Sequence, residues 1–237
     1  MISQIVILAG GHATRLYPVT QAIPKSIVSV AKRPFIAHQL MLLKKKGMQR
    51  VVLCIGVLGN KIQEFVKDGS QFGLSVCYSS DGEKLLGTGG ALQKALPLLD
   101  ERFFVIYGDA YLDTGFKPVS DYFSSHNKNG LMTVFKNQDR LAPSNIVLKD
   151  GRILYYDKKT RVPDMCYIDY GLSIFKKEVF ASGRFGASFD LGEVYKDLIA
   201  HDEMLSYEVK QRFHEIGSPK GLRETEAYLA ASSIPLN

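Results

Sequence analysis

Residues 4–25 constrain this chain more than any other stretch. An apolar run, Ile5-Val6-Ile7-Leu8-Ala9, passes without a polar spacer into Gly10-Gly11-His12-Ala13-Thr14-Arg15-Leu16, and Pro24-Lys25 follows. A short unbroken apolar run bounded by glycines reads as a buried strand. The glycines let backbone N–H groups approach an anion with no Cβ in the way, while Arg15 and Lys25 supply positive charge that backbone dipoles cannot. The segment is therefore suited to holding a polyphosphate at a strand's end. It lacks the Gly-Lys-Ser/Thr ending of a P-loop and the G-x-G-x-x-G of a dinucleotide fold.

Strands and helices alternate after this opening. A helix is expected at 34–46, opened by Pro34 and stopped by Gly47, then a strand at 50–55, a helix at about 59–67 and a strand at 74–78. Beyond Gly87-Thr88-Gly89-Gly90 a helix runs through Ala91, Leu92, Ala95 and Leu96, and a strand at 103–107 ends in Gly108-Asp109. This order implies an α/β, Rossmann-like three-layer sandwich whose central sheet is mixed and mostly parallel, with ligands at the carboxyl ends of its strands. The second half is less regular. Strands are expected at 131–136, 145–148, 152–156 and 171–175, a hairpin turn at Asp150-Gly151, and helices at about 176–181, 190–200 and 219–231.

At 237 residues, with no repeat, linker or low-complexity tract, the chain is expected to form one domain over 1–237. Apolar content of 46% and charged content of 23% are ordinary for a globular protein, and no apolar stretch exceeds strand length, so a membrane span is excluded. Met1 leads into a core strand with no basic flank or cleavage site, so a cytoplasmic location is expected. The three cysteines, Cys54, Cys77 and Cys166, fit no zinc spacing and read as buried small side chains. The net charge of +6 is spread over separated lysine groups such as Lys44-Lys45-Lys46 and Lys158-Lys159. That argues against nucleic acid, and a cleft for anionic small molecules accounts for the sign.

Asp109 follows the strand Phe103-Phe104-Val105-Ile106-Tyr107 and Gly108, which places a carboxylate at a strand's carboxyl end. There it suits Mg²⁺, a hard cation that takes one or two protein oxygens and leaves other positions to water and phosphate. The alternative is a capping Asp in a tight turn.

Read as L-A-G-G-x-x-T-R-L-x-P-x-T-x-x-x-P-K, the opening resembles that of the sugar-1-phosphate nucleotidyltransferases, with Leu8, Gly10, Gly11, Thr14, Arg15, Leu16, Pro18, Thr20, Pro24 and Lys25 in place. Ala13 departs from the Gly usual there. The resemblance covers nearly the whole chain and implies the nucleotide-diphospho-sugar transferase type of fold, with 1–110 as the nucleotide-binding half and 111–237 as the sugar-binding half. Its length is similar to that of the compact members. By the same resemblance Leu8, Ala9, Gly10, Gly11 and Thr14, together with Gly87, Thr88 and Gly89 of the L-G-T-G segment, border the nucleotide. Arg15 and Lys25 are the catalytic cations, and Asp109 is the first metal ligand. Glu215, in Phe213-His214-Glu215-Ile216-Gly217-Ser218-Pro219, stands where relatives have the second metal carboxylate, an Asp before Ile-Gly. It is one methylene longer, and the alternative is a surface residue before a helix. Asp157-Lys158 is similar to the Glu-Lys pair that holds the sugar and its phosphate, and Gly171 to the Gly that makes room for the sugar. Asn145 and Asp169 are further sugar-side candidates, with ordinary turn and strand-end roles as the alternative.

These likenesses imply Mg²⁺ as cofactor, with a nucleoside triphosphate and a sugar 1-phosphate as substrates. The compact members nearest in pattern are the heptose or mannose 1-phosphate guanylyltransferases and the N-acetylmuramate 1-phosphate uridylyltransferases. Uridylyl members usually read L-A-A-G, so the L-A-G-G form favours GTP with D-glycero-α-D-manno-heptose 1-phosphate or mannose 1-phosphate. UTP with N-acetylmuramate 1-phosphate, dTTP or CTP with glucose 1-phosphate, and a non-catalytic regulatory subunit stay open. A homodimer is common among similar enzymes, but no stripe here specifies an interface. A glycosyltransferase would be expected to carry Asp-x-Asp where this chain has Asp109-Ala110-Tyr111.

Overall fold

The first strand, β1 (Gln4–Ala9), has no solvent face: Ile5 and Ile7 enter the core on one side of the sheet and Val6 and Leu8 on the other. The structure is a computed structural model that describes residues 2–11, 16–17 and 19–231. After β1 come β2 (Ser29–Val30), β3 (Arg33–Pro34), α1 (Phe35–Lys45), β4 (Arg50–Ile55), α2 (Gly59–Val66), β5 (Ser75–Ser80), α3 (Gly87–Ala95), β6 (Arg102–Tyr107) and β7 (Ala110–Tyr111). The second half holds α4 (Phe116–Ser124), β8 (Gly130–Lys136), β9 (Ile146–Lys149), β10 (Arg152–Tyr156), β11 (Tyr167–Lys176), α5 (Glu178–Ala181), α6 (Leu191–Ala200), β12 (Met204–Val209), β13 (His214–Glu215) and α7 (Pro219–Ala231).

The same period-two sorting recurs in β4, where Val51, Leu53 and Ile55 face one core and Val52 and Cys54 the other, and in β6 with Phe104 and Ile106 against Phe103 and Val105. Helices α1, α2 and α4 cover the first face through Ile36, Leu40, Ile62, Val66, Phe116 and Phe123. Helices α3 and α6 cover the second through Ala91, Leu92, Leu191, Val194 and Leu198. The result is the three-layer arrangement expected, and no helix among the described residues is long and apolar enough to cross a membrane.

In the sheet, β5, β4, β1 and β6 are parallel neighbours in that order. β11 then runs antiparallel to β6 and branches, pairing with β8 along its length and with β9 at Tyr167↔Ile146. β12 extends one branch parallel to β8, and β10 extends the other antiparallel to β9. The parallel register sets Ala9 beside Ile55 and Leu8 beside Tyr107, so Gly10, Gly56 and Gly108 leave the sheet at one edge. Their strand ends close up tightly. A Cβ on Gly56 would lie 2.5 Å from Gly10 O, and one on Gly108 would lie 2.9 Å from Leu8 O.

Six elements differ from expectation by being present at all: the two-residue strands β2, β3, β7 and β13, and the longer α4 and β12. α4 carries Pro118 and follows Gly115, signals that read as a loop, yet Pro118 lies in the first turn, where no intrahelical N–H bond is lost. β12 has no clean alternation, and it is set by pairing with β8 over Met204↔Gly130 to Val209↔Phe135. The strand expected at 171–175 extends from 167 to 176, and this leaves α5 only Glu178–Ala181 of the helix expected at 176–181. Asp150 and Gly151, with φ of 48° and 74°, form the expected turn between β9 and β10. Of the cysteines Cys54 alone is buried. Cys77 is exposed and Cys166 half-buried, because residue 77 falls on the open side of edge strand β5.

Candidate active site

A cleft of about 230 Å³ opens at the carboxyl ends of β1, β4 and β6. Leu8, Ala9, Gly10 and Gly11 form its floor, Gly87 and Thr88 one rim, and Lys25, Gly108 and Asp109 the other. Thr14 and Arg15, with Ala13 and Pro18 of the same motif, lie outside the described residues.

Lys25 Nζ donates to Asp109 Oδ2 at 2.9 Å, with both side chains partly exposed to the cleft. Asp109 is held in place by its backbone. Gln39 in α1, itself buried, donates from Nε2 to the carbonyls of Tyr107 at 3.0 Å and Ala110 at 2.6 Å, clamping the turn on both sides of Gly108-Asp109. β7 and β13 form a two-stranded ribbon with Glu215 opposite Ala110, and Ile216 N–H donates to Asp109 O at 2.9 Å. The ribbon thereby joins Glu215 to Asp109 across the chain. A Cβ on Gly217 would lie 2.8 Å from Asp109 Oδ2, 2.9 Å from Glu215 Oε2 and 3.5 Å from Lys25 Nζ, so two carboxylates and an ammonium converge on the space that glycine leaves open.

Glu215 has a second duty. Its carboxylate accepts from the N–H groups of Gly217 and Ser218 and from Ser218 Oγ, at the start of α7. The extra methylene relative to Asp lets one carboxylate serve both the helix terminus and the cradle. His214 stacks on Tyr228, ring centroids 4.0 Å apart, and burial, then Arg212, holds its pKa below the usual imidazole value. It packs beside the cradle and does not enter it. Among the described residues no group of three or more His, Cys, Asp and Glu side chains gathers as a metal cluster.

Gly87 and Thr88 line the cleft, but Gly89 does not. Its N–H and that of Gly90 donate to Phe189 O at 2.9 and 3.2 Å, and a Cβ on Gly89 would fall 2.2 Å from the Phe189 ring. Thr88 Oγ1 donates to Asp190 Oδ1 and accepts from Leu191 N–H, both at 2.8 Å. The second glycine of the L-G-T-G segment therefore serves close packing against the loop ahead of α6.

On the other side, Asn145, Asp169, Gly171 and Lys158 form one connected group. Asp169 N–H donates to Asn145 Oδ1 at 3.0 Å, Gly171 N–H donates to Asp169 Oδ1 at 2.9 Å, and Lys158 Nζ lies 3.6 Å from Asp169 Oδ2. Gly171 has φ of 96°, and a Cβ there would meet no atom closer than 3.6 Å, so backbone conformation rather than crowding demands glycine. The Asp157 carboxylate stays outside this group, although its N–H donates to Asn145 O at 3.0 Å. Its carboxylate meets Lys196 Nζ at 2.6 Å and the N–H groups of Lys159 and Thr160, contacts that hold its pKa far below the usual carboxylate range. Asp157 caps the bend at 158–160 through the N–H groups of Lys159 and Thr160, and this turns its carboxylate away from Lys158.

Three cleft residues carry no signal in the sequence. Tyr107, on the wall beside Asp109, takes a hydrogen bond from Lys158 Nζ at 3.2 Å and so ties the sugar-side group to the cleft. Ser26 is 3% exposed, lines the cleft next to Lys25, and its hydroxyl has no hydrogen-bond partner among the described residues. Asp81, just past β5, is 9% exposed and accepts from Leu86 N–H at 3.3 Å. Burial raises its pKa, against the opposing pull of that N–H and of Lys94. Burial, then Asp81, pushes the Cys54 thiol up to about 12, which rules it out as a nucleophile at neutral pH.

The chain is 29% identical to the UTP–glucose-1-phosphate uridylyltransferase of Synechocystis over 79% of this chain and 52% of that protein. It is 28% identical to mannose-1-phosphate guanyltransferase beta-B of Xenopus laevis over 91% of this chain and 61% of that protein. The chain thus spans between half and two-thirds of the length of these relatives. The crystal structure of HddC from Yersinia pseudotuberculosis complexed with GMP-PN superposes with a TM-score of 0.80 at 24% identity, covering 96% of this chain and all of that one, 100%. A mixed sheet with helices on both faces, a glycine-floored cleft at its carboxyl edge and a family match over residues 4–231 together show that the chain belongs to the nucleotidyl transferase family.

Proposed function

We propose that the protein transfers a nucleoside monophosphate from a nucleoside triphosphate to a sugar 1-phosphate, releasing pyrophosphate. The observation that carries this reading is the convergence of Lys25, Asp109 and Glu215 on the space beside Gly217, at the cleft's phosphate end. An oxygen of the sugar phosphate forms a bond to the α-phosphorus in line, and the bond from that phosphorus to the bridging oxygen of the departing pyrophosphate breaks. The attacking oxygen is already anionic near neutral pH, so no general base is needed, and the protein's work is positioning and charge stabilisation. Lys25, now paired with Asp109, sits where it neutralises the α-phosphate and the incoming sugar phosphate. Lys158, aimed by Tyr107 and Asp169, is the second cation on the sugar side. Arg15 is assigned to the β- and γ-phosphates by family resemblance.

The residues present fit Mg²⁺. Carboxylate oxygens are its preferred protein donors, and Asp109 and Glu215 bring one each to a space that a single Cβ would fill. Asp109 and Glu215 would hold the ion, which when bound supplies Lewis-acid polarisation of a phosphoryl oxygen.

For the substrates we favour GTP with a manno-configured heptose 1-phosphate or mannose 1-phosphate. The L-A-G-G opening, the mannose-1-phosphate guanyltransferase relative and the bound GMP-PN of the Yersinia structure support this choice. The Synechocystis relative keeps UTP with glucose 1-phosphate as the second reading. The test is pyrophosphate release with Mg²⁺, crossing GTP, UTP, dTTP, CTP and ATP with heptose, mannose, glucose and N-acetylmuramate 1-phosphates. Release should require both substrates and fall roughly 10²- to 10³-fold in Lys25→Ala and Asp109→Ala. Triphosphate hydrolysis independent of sugar phosphate would overturn the proposal.

A further inference from the structure

The central sheet forks at β11. β8 pairs with β11 along its length and β9 only at Tyr167↔Ile146, so β8–β12 and β9–β10 form separate branches. A cavity of about 270 Å³ is lined by both branches, and it shares no lining residue with the cleft. Tyr122 of α4 and Tyr207 of β12 form one wall, their rings edge to face with centroids 5.4 Å apart, and pack against the first core. Tyr167 and Leu148 form the other wall and pack against the second core, so the walls come from opposite faces of the sheet. Ser206 Oγ donates to Gly151 O, which ties β12 to the β9–β10 turn.

The lining carries two carboxylates, Asp150 and Glu208, and no lysine or arginine, in a chain whose net charge is +6. Among the described residues the Asp150 carboxylate has no hydrogen bond or ion pair, and none of the three tyrosine hydroxyls has a hydrogen-bond partner. Glu208 meets only Lys210 Nζ, at 2.7 Å, and that lysine's side chain is 80% exposed. Arg152, next in the chain to Gly151, is committed to Asp202 at 2.8 Å. Burial, then the neighbouring Glu208 charge, raises the pKa of Tyr167, which sets a carboxylate beside that ring. An anion is repelled here, and an apolar ligand would leave the carboxylates unpaired. Rings and Leu148 are poor neighbours for a hard metal ion, which surrounds itself with oxygen donors and water. An organic cation satisfies every wall: N–H donors for carboxylates and hydroxyls, positive charge over ring faces, and an alkyl stem against Leu148. The volume lies just below the roughly 300–1,000 Å³ of most ligand pockets, which limits the occupant to a small molecule.

We infer that this fork binds a small primary alkylammonium ion, its N–H groups donating to Glu208 and Asp150 and its stem held among Tyr122, Tyr167, Tyr207 and Leu148. The site is separate from the cleft, and the inference does not rest on the transferase reading. The experiment titrates n-butylammonium, tetramethylammonium and butyrate against the protein by ligand-detected nuclear magnetic resonance, at about 0.15 M salt to screen loose surface attraction. The variants are the double substitution Asp150→Asn with Glu208→Gln, and Tyr207→Leu; Asn tolerates the φ of 48° at position 150. n-Butylammonium should bind saturably, and about 10-fold or more tighter than tetramethylammonium, which carries the charge without an N–H. Butyrate, the same stem with the opposite charge, should not bind. The double variant should melt with the parent and lose about 10-fold or more in affinity for n-butylammonium, and Tyr207→Leu should lose about 2- to 5-fold. No saturable binding of n-butylammonium, equal binding of tetramethylammonium or butyrate, or an affinity unchanged in the double variant would overturn the assignment. Should Tyr207→Leu fail to fold, the double variant decides alone.

Discussion

Replacing Gly221 with Ala should destabilise the protein, although the same change in most helices does the reverse. Alanine is ordinarily favoured over glycine inside a helix by about 1 kcal/mol. Gly221 lies in the first turn of α7, and its N–H donates to Ser218 Oγ at 2.9 Å, whose hydroxyl in turn donates to Glu215 Oε1 at 2.6 Å. A Cβ at this position would come 1.7 Å from Glu215 Oε1, 2.3 Å from its Cδ and 2.7 Å from its main-chain O. Rotating the Glu215 side chain relieves the first two contacts, but the third involves backbone and persists. Overpacking of this kind costs about 1–3 kcal/mol, and losing the carboxylate at the helix start costs about 1 kcal/mol more. Set against the intrinsic gain, the net is a loss of about 1–3 kcal/mol, or a Tm lower by roughly 2–12 °C for a chain of this size. Gly192→Ala is the control, because its Cβ would meet only the Tyr156 ring at 3.7 Å and its hydroxyl at 3.8 Å, ordinary contacts, so stability should hold or rise. Thermal melts of both variants and pyrophosphate release against Mg²⁺ concentration make the assay. With Glu215 displaced, Gly221→Ala should need more Mg²⁺ for half-maximal rate. A Gly221→Ala protein as stable as the parent, with an unchanged Mg²⁺ requirement, would refute the reasoning.

Tyr107→Phe should raise KM for the sugar phosphate by about 5- to 10-fold with KM for the triphosphate unchanged, and should add little in a Lys158→Ala background, since a single hydrogen bond to a charged group is at stake. Steady-state kinetics on the four proteins decides it; additive effects would count against the link. Ser26→Ala removes a buried hydroxyl that has no partner among the described residues, so urea unfolding should show equal or slightly greater stability, by up to about 1 kcal/mol. A clear loss would mean that the hydroxyl has a partner. His38 accounts for a pH effect. Burial, then the nearby Arg33 charge, lowers its pKa below 6.5 against the raising influence of Val30 O. The unfolded chain then binds more protons than the folded one, so His38 favours the fold fully above pH 6.5 and progressively less as pH falls toward its folded value. His38→Gln should flatten the decline of stability with pH in that window, and an unchanged slope would refute the assignment.

How much is legible in the sequence follows from which distances each feature spans. β1, β4 and β6 announce themselves because both faces are buried and the apolar run is continuous, and α7 because Ser218-Pro219 marks its start. β12 is not visible, since its reason for being a strand is the partner β8, about seventy residues earlier in the chain. Lys25, Asp109 and Glu215 stand out through a family pattern, and the β7–β13 ribbon is the physical reason that the two carboxylates meet. Asp157 and Lys158 read as a pair because they are adjacent, and the bend that Asp157 caps gives them different partners, Lys196 and Asp169. Gly89 reads as a nucleotide contact, and its small size is used against Phe189, a neighbour that no local signal connects to it. Asp81 and Tyr107 look ordinary in sequence and acquire meaning only through strand order.

The ribbon of two residues on each side, β7 and β13, makes the cradle a seam between early and late parts of the chain. The helix behind it packs through its own small cluster, in which Ile216 and Leu229 meet Val30, Phe35, Leu42 and Tyr111 apart from the two large cores of the sheet. Peeling that helix away would dismantle the cradle while leaving the sheet's packing in place. Conversely, an ion shared by Asp109 and Glu215 would act as a rivet across the seam, so that occupancy of the site and retention of the last helix become one equilibrium read from either side.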